Sequence, residues 1–189
     1  MAIDDPLLDR ATIVELLDRV ADEANHRGVT ISMFLVGGGA MALAYDNHRS
    51  TRDLDGVFEP KSVVYEIAAA VAEQSDLDLA PDWLNDAAKA FMPGNDPEAT
   101  TFYDTPGLSV RVASPRYLFV MKAMAARELD EDDLRLLFSL ATFRTAAEAL
   151  DAVRHAYPTQ LIKPAVQYMV ESIAAEHGAD GDAIAGSST

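Results

Sequence analysis

The chain has 189 residues, 31 acidic and 15 basic, for a formal net charge of −16 at neutral pH; 49% are hydrophobic and none is cysteine. The lack of cysteine excludes disulfides and thiolate metal sites, and the apolar share calls for a sizeable core rather than a disordered chain. The acidic balance argues against broad binding to nucleic acid or anionic membranes, but not against an RNA end in a local basic pocket or a basic partner.

No apolar run approaches the ~20 residues of a membrane span. The start MAIDDPLLDR has no signal-peptide core. A cytoplasmic protein without a membrane partner is expected. Asp5-Pro6 is read as the opening of a first helix. Ile13, Leu16, Leu17, Val20, Ala21 and Ala24 then recur at helical spacing, the stripe of an amphipathic helix that packs on a sheet. Gly28 ends it, and His26 is a partner for the C-terminal dipole rather than a catalyst.

Ile31 to Val36 reads as a buried strand. Gly37, Gly38 and Gly39 follow, letting the backbone turn tightly and approach a ligand without Cβ clashes. Ala40 to Tyr45 continues as a short helix whose free N–H groups suit phosphate. His48 is read as a solvated loop residue, and Arg49 and Arg52 as phosphate contacts. Asp53 and Asp55 lie two apart on a second strand, with Thr51 on the same face. Their carboxylates share that face roughly 7 Å apart at Cα. Like charges that close are costly without a cation between them, and a pure oxygen donor set suits Mg²⁺. The plainer alternative is a solvated turn before an acidic edge strand.

Pro60 and Ser62 start a helix with Val64, Ile67, Ala68 and Val71 on one face. Asp76 to Ala80 alternates as a short strand. Asp82 caps a short helix from Trp83, a core anchor, to Phe91. Asn85 and Lys89 lie one turn apart on it and read as a surface pair more readily than as ligand contacts. Pro93, Gly94 and Pro97 make residues 92–106 a loop able to cover a nucleotide. Leu108 to Val112 alternates as a half-buried strand carrying Ser109 and Arg111, with no acid on it.

Ser114-Pro115 opens the next helix. Lys122 falls among Leu118, Phe119, Ala125 and Ala126, so its ammonium must pair or reach out to water. Asp130 is placed to cap the following helix, while Asp133 shares a face with Leu136, Leu137 and Leu140 and should turn inward. Thr145-x-x-Glu148 is a capping box. Leu150 and Val153 give that helix its buried side, and Pro158 ends it. Pro164 lies early in a last helix that Gly178 closes, and residues 179–189 read as a disordered tail. The expected division is a core over 1–113 and a helical region over 114–178 that closes a cleft.

The run GGGAMALAY…RSTRDLD resembles the motif of the polymerase-β-like minimal nucleotidyltransferases, above all the AbiEii/MenT-type toxin nucleotidyltransferases and their single-domain relatives. Lys122 followed by Arg127, Asp130 and Asp133 is similar to the second signature of that group, and DWLNDAAK resembles a feature of the single-domain relatives. The resemblance implies an α/β (α+β) fold, with a small mixed sheet packed by helices and a C-terminal helical bundle. It implies Mg²⁺ on Asp53 and Asp55, and a glycine turn at the β- and γ-phosphates of a nucleoside triphosphate. It assigns Lys122 to the triphosphate, and Asp133, with Asp130 the weaker match, to the completion of the site. The activity implied is transfer of a nucleoside monophosphate to a hydroxyl of tRNA or protein by a toxin with a cognate antitoxin. Two alternatives stay open: a degenerate relative that only binds nucleotide or a partner, and a small-molecule enzyme of the aminoglycoside-modifying sort. Here the strand Leu108–Val112 departs from the pattern, since many of these enzymes carry a third carboxylate there.

Overall fold

The computed structural model describes residues 6–127 and 130–185. Among them are a five-stranded mixed sheet and seven α-helices, so the chain is a mixed α/β protein. It divides into two compact units, one through Ala90 together with Glu98–Ala113, the other Phe91–Pro97 together with the chain from Ser114 on.

In the first unit, helix α1 (Arg10–His26) opens at Asp9, whose carboxylate accepts from the N–H of Thr12 at 2.8 Å. The start is therefore Asp9 and not Asp5-Pro6: Asp9 supplies the N-cap acceptor that the first turn needs. The helix buries the expected stripe of Ile13, Leu16, Leu17, Val20, Ala21 and Ala24. Each large aliphatic buried this way contributes about 1.5–3 kcal/mol.

Strand β1 (Ile31–Val36) lies at the centre of the sheet, whose order is β3-β2-β1-β5-β4. Strand β2 (Leu54–Glu59) pairs with it antiparallel and β5 (Leu108–Val112) parallel. Ile31, Met33, Leu35, Leu54, Phe58, Leu108 and Val110 face a core closed by α1 and by Val64, Ile67, Ala68 and Val71 of α3 (Lys61–Gln74). The period of two sends Ser32, Phe34, Asp55, Val57, Glu59, Ser109 and Arg111 to the other face, where all are half-buried or exposed.

Three expectations fail in this unit. Residues 76–80 form no strand; the sheet edge on that side is taken by β3 (Leu84–Asn85), which pairs parallel with β2. Only Ala87–Phe91 of the expected 83–91 helix is helical, as a 3₁₀ turn. Tertiary pairing to Leu54 and Asp55 overrides the helical spacing there. Within the expected loop 92–106, Thr100–Thr105 is strand β4, antiparallel to β5. It is an edge strand and mostly wet, so it carries no apolar alternation to read.

The second unit is helical. Helix α4 (Pro115–Ala125) starts at Ser114, which accepts from the N–H of Tyr117 at 3.2 Å, and ends at Ala126 in the left-handed region. It packs against α5 (Glu131–Leu140), α6 (Ala146–Ala156) and α7 (Pro164–Ala185). Phe119, Phe138 and Phe143 pack against one another edge-on or tilted, at 5.0–6.1 Å between ring centres. Thr145 caps α6, while Glu148 returns its bond to the N–H of Arg144 at 2.9 Å, one residue before the expected donor. The 91–97 segment is fixed within this unit. Asp96 accepts from the N–H and hydroxyl of Ser114 at 2.7 and 3.0 Å. The hydroxyl of Tyr117 donates to the carbonyl of Pro93 at 2.6 Å, and burial pushes its pKa up to about 12, so it stays a donor. Helix α7 runs through Gly178 to Ala185 instead of ending at that glycine; of the expected tail, residues 186–189 lie outside the described residues.

Candidate active site

The glycine run is not a loop. Gly37–Ala40 is a helical turn, α2, and continues without a break into a π-helical turn, Met41–Tyr45. Of the three glycines only Gly37 has a positive φ, +63°, where an L side chain is strained. The three glycines lie on the acid-bearing segment itself. A Cβ on Gly37 would stand 3.5 Å from Oδ2 of Asp55, one on Gly38 2.7 Å from Oγ1 of Thr51, and one on Gly39 2.6 Å from Cδ2 of Leu54. Contact between the helix start and residues 51–55 thus asks for a small residue at Gly38 and Gly39, and the backbone conformation asks for one at Gly37.

Asp55 sits on β2 opposite Val36 of β1 and Asn85 of β3. Asp53 lies one residue before the strand as drawn, outside its expected place on it. The alternation of burial still runs through it, with Leu54 and Gly56 buried and Asp53 and Asp55 half-buried, so both acids belong to the open face. Thr51 is buried, donates its hydroxyl to the carbonyl of Asp53 at 3.0 Å, and bridges to Leu8 through the backbone. Arg49 is half-buried and Arg52 exposed.

Asn85 is not one half of a surface pair with Lys89. Its Nδ2 donates to Oδ2 of Asp53 at 3.2 Å and to the carbonyl of Asp82 at 3.1 Å, and its Oδ1 accepts from the N–H of Ala87 at 2.9 Å. The flanking residues are fixed as well. Trp83 is fully buried and donates Nε1 to the carbonyl of Ala68 at 3.0 Å. Asp86 accepts from Nζ of Lys61 at 2.5 Å and from the hydroxyl of Tyr65 at 2.6 Å. The Lys61 ammonium, then the Tyr65 hydroxyl, hold the Asp86 carboxyl below its ordinary value. The same open face carries a groove of about 320 Å³ over Phe34 and Val57, rimmed by Glu59, Lys61, Asp86 and Lys89. Trp83 has the core role that the sequence suggests, whereas the bond from Asn85 to Asp53 depends on the register of β3, which the helical reading of this segment does not contain.

The other predicted site residues gather in the second unit. Lys122 is 8% exposed; its Nζ donates to Oδ1 of Asp130 at 2.6 Å and lies 2.8 Å from Oδ2 of Asp133. Asp130 precedes α5 but makes no side-chain capping bond, so the capping expectation is corrected: its carboxylate is drawn to the lysine instead. Asp133 turns inward as expected, but beside Leu134, Leu137 and Phe138, whereas Leu140 is exposed.

Among the described residues no three acidic or histidine side chains come together as a metal cage. A scan of protein-family models, a search of curated proteins and a search of solved structures each return no match to the chain. Nor is any helix among the described residues long and apolar enough to cross a membrane.

Proposed function

We propose that the chain is a magnesium-dependent nucleotidyltransferase of the polymerase-β-like type, with Asp53 and Asp55 as its metal-holding acids. One observation carries the reading: two carboxylates share the open face beside the start of α2, where Gly37 approaches Asp55 without a side chain. The donors are hard oxygens, and Mg²⁺ retains waters, so a pair of carboxylates suffices to hold it. When bound, Mg²⁺ would offset the charge on the phosphates of the nucleotide.

The chain's own groups then have distinct tasks. Backbone N–H groups at the start of α2 orient the β- and γ-phosphates. The hydroxyl oxygen of the acceptor forms a bond to the α-phosphorus as the bond to the β-phosphate oxygen breaks. Its proton passes to an aspartate, and pyrophosphate leaves. The acceptor in this reading is a hydroxyl on tRNA or protein, and the chain acts as the toxin of a toxin–antitoxin pair. Lys122 is assigned to the triphosphate by resemblance alone. To serve there its ammonium must give up Asp130 or Asp133, the partners it holds within its own unit.

The test is label transfer. With each α-labelled nucleoside triphosphate, Mg²⁺ and total tRNA or lysate, the wild type should label an acceptor, and Asp53→Ala and Asp55→Ala should not. Equal labelling by those variants ends the mechanism. A second reading, nucleotide binding without catalysis, draws on the absence of a third acid at the pair among the described residues. Thermal stabilisation by a triphosphate without any product would select it.

A further inference from the structure

Within the first unit, the orientation of the Asn85 amide is set by its two backbone partners. The N–H of Ala87 can only donate and the carbonyl of Asp82 can only accept. The first must therefore face Oδ1 and the second Nδ2, at 2.9 and 3.1 Å. The second hydrogen of Nδ2 is thereby aimed at Oδ2 of Asp53, 3.2 Å away. The backbone beneath the amide is held three times over: by pairing of Leu84 and Asn85 with Leu54 and Asp55, by the buried Trp83, and by Asp86 bound to Lys61 and Tyr65.

We infer that Asn85 is a positioning residue that presets the Asp53 carboxylate for a divalent cation. The inference rests on the metal reading of Asp53 and Asp55 proposed above. An amide suits the task better than a lysine or arginine would. It fixes one carboxylate oxygen with a donor but adds no charge, so Asp53 keeps its full attraction for a dication. A cation at this position would orient the acid and neutralise it at once. Outer partners that orient metal-holding carboxylates commonly change metal affinity by about 10- to 100-fold when removed.

The probe is Mn²⁺, titrated calorimetrically or by its spin-resonance signal, with no nucleotide and no turnover. Wild type, Asn85→Ala, Asn85→Ser and Asp53→Ala are compared, each with its thermal midpoint. Asn85→Ser guards against failure to fold, since a serine hydroxyl can still accept from the N–H two residues on but is too short to serve Asp53. The expected result is a dissociation constant raised about tenfold or more in Asn85→Ala and Asn85→Ser, with binding lost in Asp53→Ala. A purely structural Asn85 would instead lower the midpoint and leave Mn²⁺ affinity at the wild-type value, which overturns the inference alone. Absence of Mn²⁺ binding by the wild type overturns the metal reading, and the positioning role falls with it.

Discussion

Two groups of aspartates, one in each unit, are held by opposite means. Asp53 is half-buried and receives its hydrogen bond from the neutral amide of Asn85. Asp130 and Asp133 are buried, at 8% and 3% exposure, and gather around the ammonium of Lys122. Burial explains the difference. A carboxylate withdrawn from water at the α4–α5 turn needs a counter-charge to stay ionised, and the lysine meets two of them there. At the wet sheet face the amide of Asn85 orients Asp53 without adding charge, so that charge stays available to something from solution. A carboxylate oriented by a neutral donor is the better candidate for chemistry, and one already set against an ammonium is the better candidate for architecture.

The largest effect that separates the two concerns stability. Lys122→Met should remove the ammonium that faces two buried carboxylates and cost about 3–5 kcal/mol, read as a fall in the urea midpoint at neutral pH. Making all three positions apolar, with Lys122→Met, Asp130→Leu and Asp133→Leu, should recover most of that loss, since a well-packed apolar set often equals a buried ion group. Asp53→Ala and Asp55→Ala should stay within about 1 kcal/mol of wild type while losing label transfer. If Lys122→Met, assayed where it is folded, transfers label at the wild-type rate, the triphosphate role that resemblance assigns to it is gone.

The contrast was only partly legible in the sequence. The apolar helical neighbours of Lys122 leave pairing and reaching out to water both open, and the structure shows pairing; the same arithmetic turns Asp133 inward. The stripe of α1 and the runs of β1 and β5 were readable because burial imposes their periods directly. Asp130 reads as a cap, because a first-turn acid has a local explanation and its partner in the structure, eight residues back on another helix, does not show in local pattern. Asn85 reads locally as a surface residue sooner than a ligand contact, and its bond to Asp53, 32 residues earlier in the chain, does not show for a like reason: it comes from pairing with β2. The glycine run stands out in the sequence as suited to approach by a ligand, whereas the structure sets it against Thr51, Leu54 and Asp55.

That contact gives a sharper test on the first side of the comparison. Gly38→Ala places a methyl group 2.7 Å from Oγ1 of Thr51, an overlap that should cost about 1–3 kcal/mol. Thr51→Ala removes that oxygen and leaves only Cβ, 3.2 Å away. The double variant should therefore be less destabilised than the sum of the singles, with a coupling of about 0.5–2 kcal/mol from urea denaturation. Additive losses would mean that the helix start and the acid segment are not pressed together, and the first site would lose its geometry.

The smallest effect concerns the strap that carries Asn85, strand β3 with Asp86 after it, and it depends on pH. Asp86 has its pKa lowered from 3.8, chiefly by the hydrogen bond from Lys61 and next by that from Tyr65. A group depressed in the folded state contributes stability above its unfolded value, and loses it as pH falls through 3.8 toward the folded value. Lys61 is the mirror case. Its pKa is raised from 10.5, first by Asp86, so its contribution is complete below 10.5 and fades as pH rises through the folded value. The pair lies at the surface, where such contacts contribute little, so each limb is shallow. Asp86→Asn cannot titrate, and its thermal midpoint should lose less than that of the wild type between pH 5 and about pH 2.5. Parallel curves for the two proteins would show that Lys61 and Tyr65 do not anchor the strap through Asp86. The fixed orientation of Asn85 would then have to come from its two backbone contacts, Trp83 and the pairing of β3 alone.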